Sequence, residues 1–577
     1  MRPFDWVVLV AALVSIVAYG LYRSRGSNTV DSYLLAGKSM PWYAMALSIM
    51  ATQASAITFI STTGQAYVDG MRFVQFYFGL PVAMVILCAT VVPLFHHARV
   101  YTAYEFLENR FDGKTRALAS FIFLCQRGLS AGFTIYAPAL VLGVILGWPE
   151  RVTTSLMGAV VIAYTVLGGI KAVTWSNVQQ MCVIMLGLVV ALVTVVALLP
   201  HQVSFRDAAY LAGAAGRLNA VTTNFNWQDR FNIWSGLLGG TFLFLSYFGC
   251  DQSQVQRYLT GRSVAQSRLS LLFNAVVKVP MQAFILFIGA MVFVFYVFEQ
   301  PPVLFQQTEL KRIQTAAAYA PVASAYERAF ESRRTAALAL VEAHKAGDGF
   351  GEAHRIAEYR AAQKALDSVR QDAAQMVERS GGEKGFTDAN YIFLSFVTRY
   401  MPAGIVGLVI AVIFAATMSA SSGEINSLAT VTVMDIYRRY IRRDAPDHHY
   451  LQASRLATLF WGVYAVAFAG MAGKLGPLIV AVNKVGSLFY GSLLGCFVLA
   501  LGFRRVRGTA AFCGMLAGEA AILATAKWTD ISWLWYNVIG CGVVVAAALA
   551  LTWISPRPEG LPSRTGPGMH GPCTAPS

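Results

Sequence analysis

Charge is what this sequence has least of. Asp, Glu, Lys and Arg together make up 13% of its 577 residues while apolar residues make up 56%, and the mean hydropathy is +0.53. That leaves too little polar surface to solvate a globule of this size, so a soluble protein is excluded and the solvent is lipid. The spans also lack a His-rich metal set, a nucleophile elbow and a phosphate-binding loop, which argues against a membrane enzyme. The eight cysteines are scattered, mostly inside apolar windows and without metal-type spacing, and read as small core residues. No small-residue cleavage site follows the first apolar window; the basic stretch Arg23, Arg25, Lys38 comes instead, so that window reads as a retained anchor rather than a signal peptide.

What is present is a succession of apolar windows. Crossing ~30 Å of hydrocarbon takes about 20 apolar residues in a helix. Thirteen windows meet or approach this, near 6–22, 41–63, 74–94, 118–146, 152–167, 181–199, 233–250, 271–298, 403–433, 456–472, 478–502, 510–526 and 531–554. The reading is an all-α integral membrane protein. With the N-terminus outside, the inner connections collect the basic residues, among them Arg99, Arg110, Arg257, Arg262, Arg438, Arg439, Arg442, Arg443 and Arg504, whereas the short outer ones hold only Arg2, Arg72, Arg151, Lys474 and Lys527. Cytoplasmic loops carry such an excess. This asymmetry accounts for the +15 net charge without nucleic acid and puts the C-terminus in the cytoplasm of a plasma (inner) membrane.

The chain divides accordingly into 1–299 with eight spans, 300–390 as an external soluble insertion, 391–554 with five spans, and 555–577, a Pro-, Gly- and Ser-rich tail expected to be disordered. The insertion carries twelve basic and twelve acidic residues. Tyr326, Phe330, Ala337 and Val341, then Tyr359, Leu366, Val369, Ala373 and Met376, recur at helical spacing around Gly347, Gly349 and Gly351, which predicts an antiparallel helix pair. Such a pair serves either as a decoration or as a lid that captures solute or a partner.

Polar residues inside spans are costly and mark function. The second window reads SIMATQASAITFISTTGQ and the ninth FAATMSASSGEINSLATVTVMDIYRR. A helix unwound at Ala51–Ala54 would present free carbonyls to a cavity, and hydroxyls of a neighbouring helix could complete an all-oxygen shell for a hard cation. Arg127 falls about ten residues into the fourth window, ~15 Å along a helix, beyond easy reach of bulk water. Its planar fork suits a solute carboxylate; a structural ion pair, or snorkelling in a tilted helix, is the other reading.

Four motifs, in order, carry a resemblance: GGIKAVTWSNVQQ from Gly168, DQSQVQRYLTGRS from Asp251, MSASSGEINSLATVTVMDIYRR from Met418 and AVNKVGSLFYGSLLGCF from Ala481. Over roughly 4–554, apart from the insertion, the chain resembles the sodium:solute symporter family, with its leucine-transporter-type fold of five-plus-five inverted repeats, here the second to sixth and seventh to eleventh helices. GFTIYAPALVLGVILGW from Gly132 and TAYEFLENRF from Thr102 are similar to the branch handling monocarboxylates, vitamins and iodide. The resemblance implies sodium-coupled symport by alternating access, with no organic cofactor and no enzymatic activity. It maps a sodium site onto the carbonyls of Ala51, Ala54 and Ala416 and the hydroxyl of Ser419. It maps the solute site onto Gln53, Ser55, Tyr77, Tyr247, Phe248 and Asn483, with Tyr247 as an inner gate and Arg127 added on its own argument.

Two departures stand out. The second hydroxyl position is Ala420, and the family's threonine-aspartate pair is Ser176 and Asn177. Glu424 lies four residues after Ala420 and therefore on the same helix face. It either substitutes for lost oxygen ligands or pairs with a nearby base. These departures keep open a proton-coupled carrier, and the insertion keeps open a non-concentrative sensor or channel.

Overall fold

The computed structural model describes residues 2–24, 29–54, 56–98, 100–316, 318–347, 349–382, 385–472 and 478–554. The tail 555–577 and Ser55 lie outside the described residues, as does the side chain of Ser419.

The described chain is helical throughout. Its first half comprises α1 (Pro3–Ser24), α2 (Val30–Leu35), α3 (Trp42–Gln53), α4 (Ala56–Asp69), α5 (Gly79–Ala89), α6 (Val91–Ala98), α7 (Ala103–Arg110), α8 (Gly113–Leu146), α9 (Glu150–Ala197), α10 (Phe205–Ala214), α11 (Gly240–Gly249), α12 (Gln252–Leu259) and α13 (Val264–Phe298). After the insertion helices α14 (Gln307–Gln314), α15 (Tyr319–Ala346) and α16 (Gly349–Arg379) come α17 (Ala389–Tyr400), α18 (Ile405–Val431), α19 (Asp447–Ala472), α20 (Leu478–Gly502), α21 (Gly508–Trp528) and α22 (Leu534–Ile554).

Among the described residues, ten helical stretches are long and apolar enough to cross a membrane, so length and composition do not return the expected thirteen. Two features account for much of the difference. The second window is divided between the short helices α3 and α4, and the fifth and sixth windows are joined in α9, a helix of 48 residues that would be ~72 Å long if straight. The expected connection at Gly168–Gly169 is helical because a glycine pair costs a helix only ~1 kcal/mol per residue relative to Ala and removes no hydrogen bond.

The break in the second window has a clear local basis. Helix α3 ends at Gln53, and Ala54 turns out of the helical region with φ −91° and ψ 46°. The Gln53 carbonyl, which continued helix would have used, accepts from the Thr58 hydroxyl at 2.7 Å and lies 3.4 Å from Lys278 Nζ. Side chains thus satisfy a carbonyl that lipid could not. The break falls at the end of the expected 51–54 stretch, since Ala51 is still helical.

Helix α18 is unbroken over 27 residues and starts at a cap supplied by another helix. The buried Asp5 carboxylate of α1 accepts from the backbone N–H of Gly404 at 2.6 Å and of Gly407 at 3.4 Å. An acid at this place satisfies orphan donors and complements the helix dipole. Gly404 adopts φ +85°, and a Cβ on Gly407 would run into the Asp5 backbone, so α1 and α18 cross as closely as small residues allow.

The insertion is docked rather than free-standing. Tyr326, Phe330, Leu366, Ala373 and Val377 form a small core of their own, yet Ala337, Leu340, Val341 and Tyr359 belong to the main core. Buried Arg333 donates to the Tyr296 carbonyl at 2.5 Å and to Gln363 at 3.1 Å, and Arg360 donates to the Ala214 carbonyl at 2.7 Å. At the hairpin tip, Lys345 pairs with Asp207 at 3.1 Å. Burial opposes ionisation of Asp207, but the Ser204 amide and hydroxyl and Lys345 outweigh it and hold the carboxyl below its usual range. This contact is therefore complete at neutral pH and is lost only as pH falls through a value below the ordinary ~3.9.

Arg333→Ala removes a buried charge-assisted donor and leaves the Tyr296 carbonyl dry, which costs about 1–3 kcal/mol. The expected result is a lower thermal midpoint in detergent, with partial recovery in Arg333→Lys, whose single ammonium cannot reach both acceptors. An unchanged midpoint would show that the hairpin does not rest on the span ends.

Candidate functional site

Beside the α3–α4 break lies a half-enclosed cavity of about 100 Å³, room for several water-sized occupants. Its walls come from six parts of the chain: Thr52, Gln53 and Thr58 at the break, Tyr77 after it, Arg127, Ser130 and Thr134 on α8, Phe244 and Tyr247 on α11, Ala420 and Glu424 on α18, and Asn483 and Tyr490 on α20. Arg127, Ser130 and Thr134 share one face of α8 by their i, i+3, i+7 spacing, and Asn483 and Tyr490 share one face of α20 in the same way.

Arg127 is 3% exposed and engaged at both terminal nitrogens, while among the described residues its Nε has no partner. One arm donates to Glu424 Oε1 at 2.9 Å with Ser130 Oγ at 3.5 Å; the other donates to Asp251 Oδ2 and to the Tyr490 hydroxyl at 3.0 Å. Thr134 donates to the second oxygen of Glu424 at 3.0 Å. Tyr490 also donates to Asp251 at 3.2 Å, and the guanidinium lies 5.6 Å from the centre of the Tyr247 ring. Asp251 has its own structural task, since its other oxygen caps α12 by accepting from the Ser253 N–H at 2.9 Å. The cavity thus holds an arginine between two carboxylates, of which Glu424 lines the wall and Asp251 does not.

The residues expected at the solute site divide as follows. Gln53, Tyr77, Arg127, Tyr247 and Asn483 line the cavity. Phe248 is fully buried behind it, its ring 4.9 Å from that of Tyr247. Ala51, Ala54 and Ala416 are buried at the break and on α18, and Ala420 opens on the cavity one turn before Glu424. Asn177, at the altered aspartate position, donates to Ser48 Oγ at 2.8 Å, as Arg257 does at 2.9 Å.

Sequence reasoning missed Asp251, Tyr490, Thr134 and Lys278. The first two lie inside motifs already singled out, and Thr134 is seven residues from Arg127. Lys278 carried the plainest signal, a lone charge in the run NAVVKVPMQAF. It is wholly buried on α13, with Nζ 5.3 Å from the Tyr77 ring centre, and among the described residues no carboxylate pairs with it.

A helix broken at mid-span, a cavity at the break with polar and charged side chains on its wall, and charges sealed from lipid are the features of a membrane transport protein, because irregular backbone survives in a bilayer only where it is buried in protein or lines such a cavity. The sodium:solute symporter family profile matches residues 33–318 and 376–518, and the chain belongs to that family. It is similar to the human sodium-coupled monocarboxylate transporter 1, 27% identical over 523 residues, covering 90% of this chain and 72% of that one. It is also similar to the sodium/sialic acid symporter SiaT of Proteus mirabilis, 24% identical over 559 residues and 96% of each chain. The solved outward-open structure of a sodium-coupled sialic acid symporter superposes with a TM-score of 0.74 at 23% identity, covering 96% of this chain and 98% of that one. The fold is of the leucine-transporter type. The protein is a multi-pass membrane symporter that couples sodium to a small solute.

Proposed function

We propose that the solute is a small organic anion whose carboxylate engages Arg127, with Gln53, Ser55, Tyr77, Tyr247 and Asn483 around it and Phe248 supporting Tyr247 from behind. The observation that carries this reading is a guanidinium on the cavity wall, reinforced by Lys278 standing behind Gln53 and Tyr77. The relatives named for monocarboxylates and sialic acid transport carboxylates. Sodium is the cargo at the other pole, held by the carbonyls of Ala51, Ala54 and Ala416, the Ser419 hydroxyl and the Glu424 carboxylate. These are the hard oxygens such an ion takes, and Glu424 makes up for the hydroxyl missing at Ala420. In this reading the N-terminus and the 300–390 insertion face outside a plasma (inner) membrane and the C-terminus faces the cytoplasm, following the basic residues of the short loops.

One charge moving through ~100 mV yields ~2.3 kcal/mol, and a tenfold sodium gradient adds ~1.4, enough for roughly 500-fold accumulation of a neutral solute. An anion moving with one sodium is driven by the concentration gradient alone, so strong accumulation of a carboxylate requires a second ion. Proteoliposome uptake of labelled propionate, pyruvate and sialic acid, with their amides as competitors, tests both points. Uptake should need outside sodium, the acids should compete and the amides should not; equal competition by the amides would remove the carboxylate from the reading.

Ser419→Ala takes from the proposed shell its one hydroxyl ligand. The sodium concentration for half-maximal uptake is expected to rise severalfold, and an unchanged sodium dependence would move the ion site elsewhere.

A further inference from the structure

Arg127 carries two carboxylates, and they are not equivalent. Asp251 is shut away, its side chain fully buried, with one oxygen on the guanidinium and the other capping α12. Glu424 borders the cavity and is held there by Arg127 Nη1 and the Thr134 hydroxyl. Both terminal nitrogens of the guanidinium are therefore already taken by the protein's own carboxylates, and of the two carboxylates only Glu424 stands on the cavity wall, where a solute carboxylate could replace it.

Glu424 also has somewhere to go. Side chains on a helix lean toward its N-terminus and cover the preceding turn, and in α18 that turn carries Ala420, which brings no polar side-chain atom to the cavity wall. A rotamer change can therefore take the carboxylate off the arginine and toward the preceding turn, at Ala420.

We infer that Glu424 couples the two cargoes by ion-pair exchange: in the empty cavity it occupies Arg127 in place of a solute carboxylate, and when the solute displaces it, it swings to the turn of Ala420 and becomes a sodium ligand. This rests on the proposed solute and cation poles and adds the link between them. The solute carboxylate and sodium then favour the same rotamer, so each raises the affinity of the other by one and the same factor. Sodium alone has to pull Glu424 from its arginine before it gains that ligand.

The test uses sodium alone as the probe, measured by radiolabelled sodium binding to the purified full chain without solute. Thr134→Val keeps the shape and removes the hydroxyl that holds Glu424 on Arg127, so solute-free sodium should bind about 3- to 10-fold tighter. Arg127→Gln should tighten it further, and Glu424→Gln should weaken it and cancel the effect of Thr134→Val in the double variant. If Glu424→Gln weakens sodium while Thr134→Val leaves it unchanged or weaker, the exchange is overturned and the cation pole stands. If Glu424→Gln leaves sodium binding unchanged, Glu424 is no ligand, and the cation pole and the exchange fall together. The Thr134→Val variant, which removes no charge, keeps the test decisive where Arg127→Gln folds poorly.

Discussion

Replacing Arg127 by Gln is expected to lower the apparent affinity for a carboxylate solute about 10- to 100-fold, since a charge-assisted hydrogen bond contributes ~1.5–3 kcal/mol. The variant retains much of the volume and can still donate to Tyr490, so cavity shape changes less than charge. Loss specific to charge shows in a ratio: inhibition of uptake by propionate should fall while inhibition by a neutral analogue of the same size, if measurable, stays level. Equal loss for both would mean that the guanidinium only holds α8, α18 and α20 in place. The neighbouring carboxylate sharpens the expectation, because without Arg127 the Glu424 carboxylate on the cavity wall meets an incoming anion with like charge.

Asp251→Ala should have the largest effect on stability. Its side chain is fully buried and does three things: it pairs with Arg127, accepts from Tyr490 at 3.2 Å and caps α12 through the Ser253 N–H at 2.9 Å. Breaking a buried ion pair from one side costs about 3–5 kcal/mol, and loss of a cap adds ~1. The expected readout is a large fall in thermal midpoint in detergent or failure to reach the membrane. Asp251→Asn keeps the cap acceptor and should recover part of the loss. Adding Arg127→Gln to Asp251→Asn should lower stability further, because Arg127 still pairs with Glu424 once Asp251 is neutral and its loss takes from that buried carboxylate the arginine it pairs with; the double-mutant cycle reads the Arg127–Asp251 coupling, and additive losses would show that the pair contributes none.

The class of protein was legible in the scarcity of charge and the run of apolar windows, and the family in four ordered motifs. Individual contacts were less legible, for a physical reason. Arg127 meets Asp251 across 124 residues and Glu424 across 297, and periodicity reports only which face of its own helix a residue occupies. Arg127 and Glu424 were both singled out, with ion pairing as one reading of each, but not that they share one fork or that Asp251 completes it. The helix break was anticipated from polar composition at 51–54, while its place after Gln53 depends on Thr58 and Lys278 reaching back to one carbonyl. In α9, the gap between the fifth and sixth apolar windows suggested a connection where hydrogen bonding remains helical. The insertion read as an external helix pair from its periodicity, but periodicity could not show that Arg333 and Arg360 anchor it to backbone carbonyls at the ends of α13 and α10.

The cap that Asp5 places on α18 has a mechanical consequence. A carboxylate bonded to two backbone N–H groups of another helix, with Gly407 pressed against its own backbone, works as a rivet rather than a hinge. Tilting α18 at that end must therefore drag the first helix along or break two hydrogen bonds. Although α1 contributes nothing to the cavity wall, it adds its drag through lipid to every such tilt, and so bears on how fast the carrier turns over rather than on what it binds.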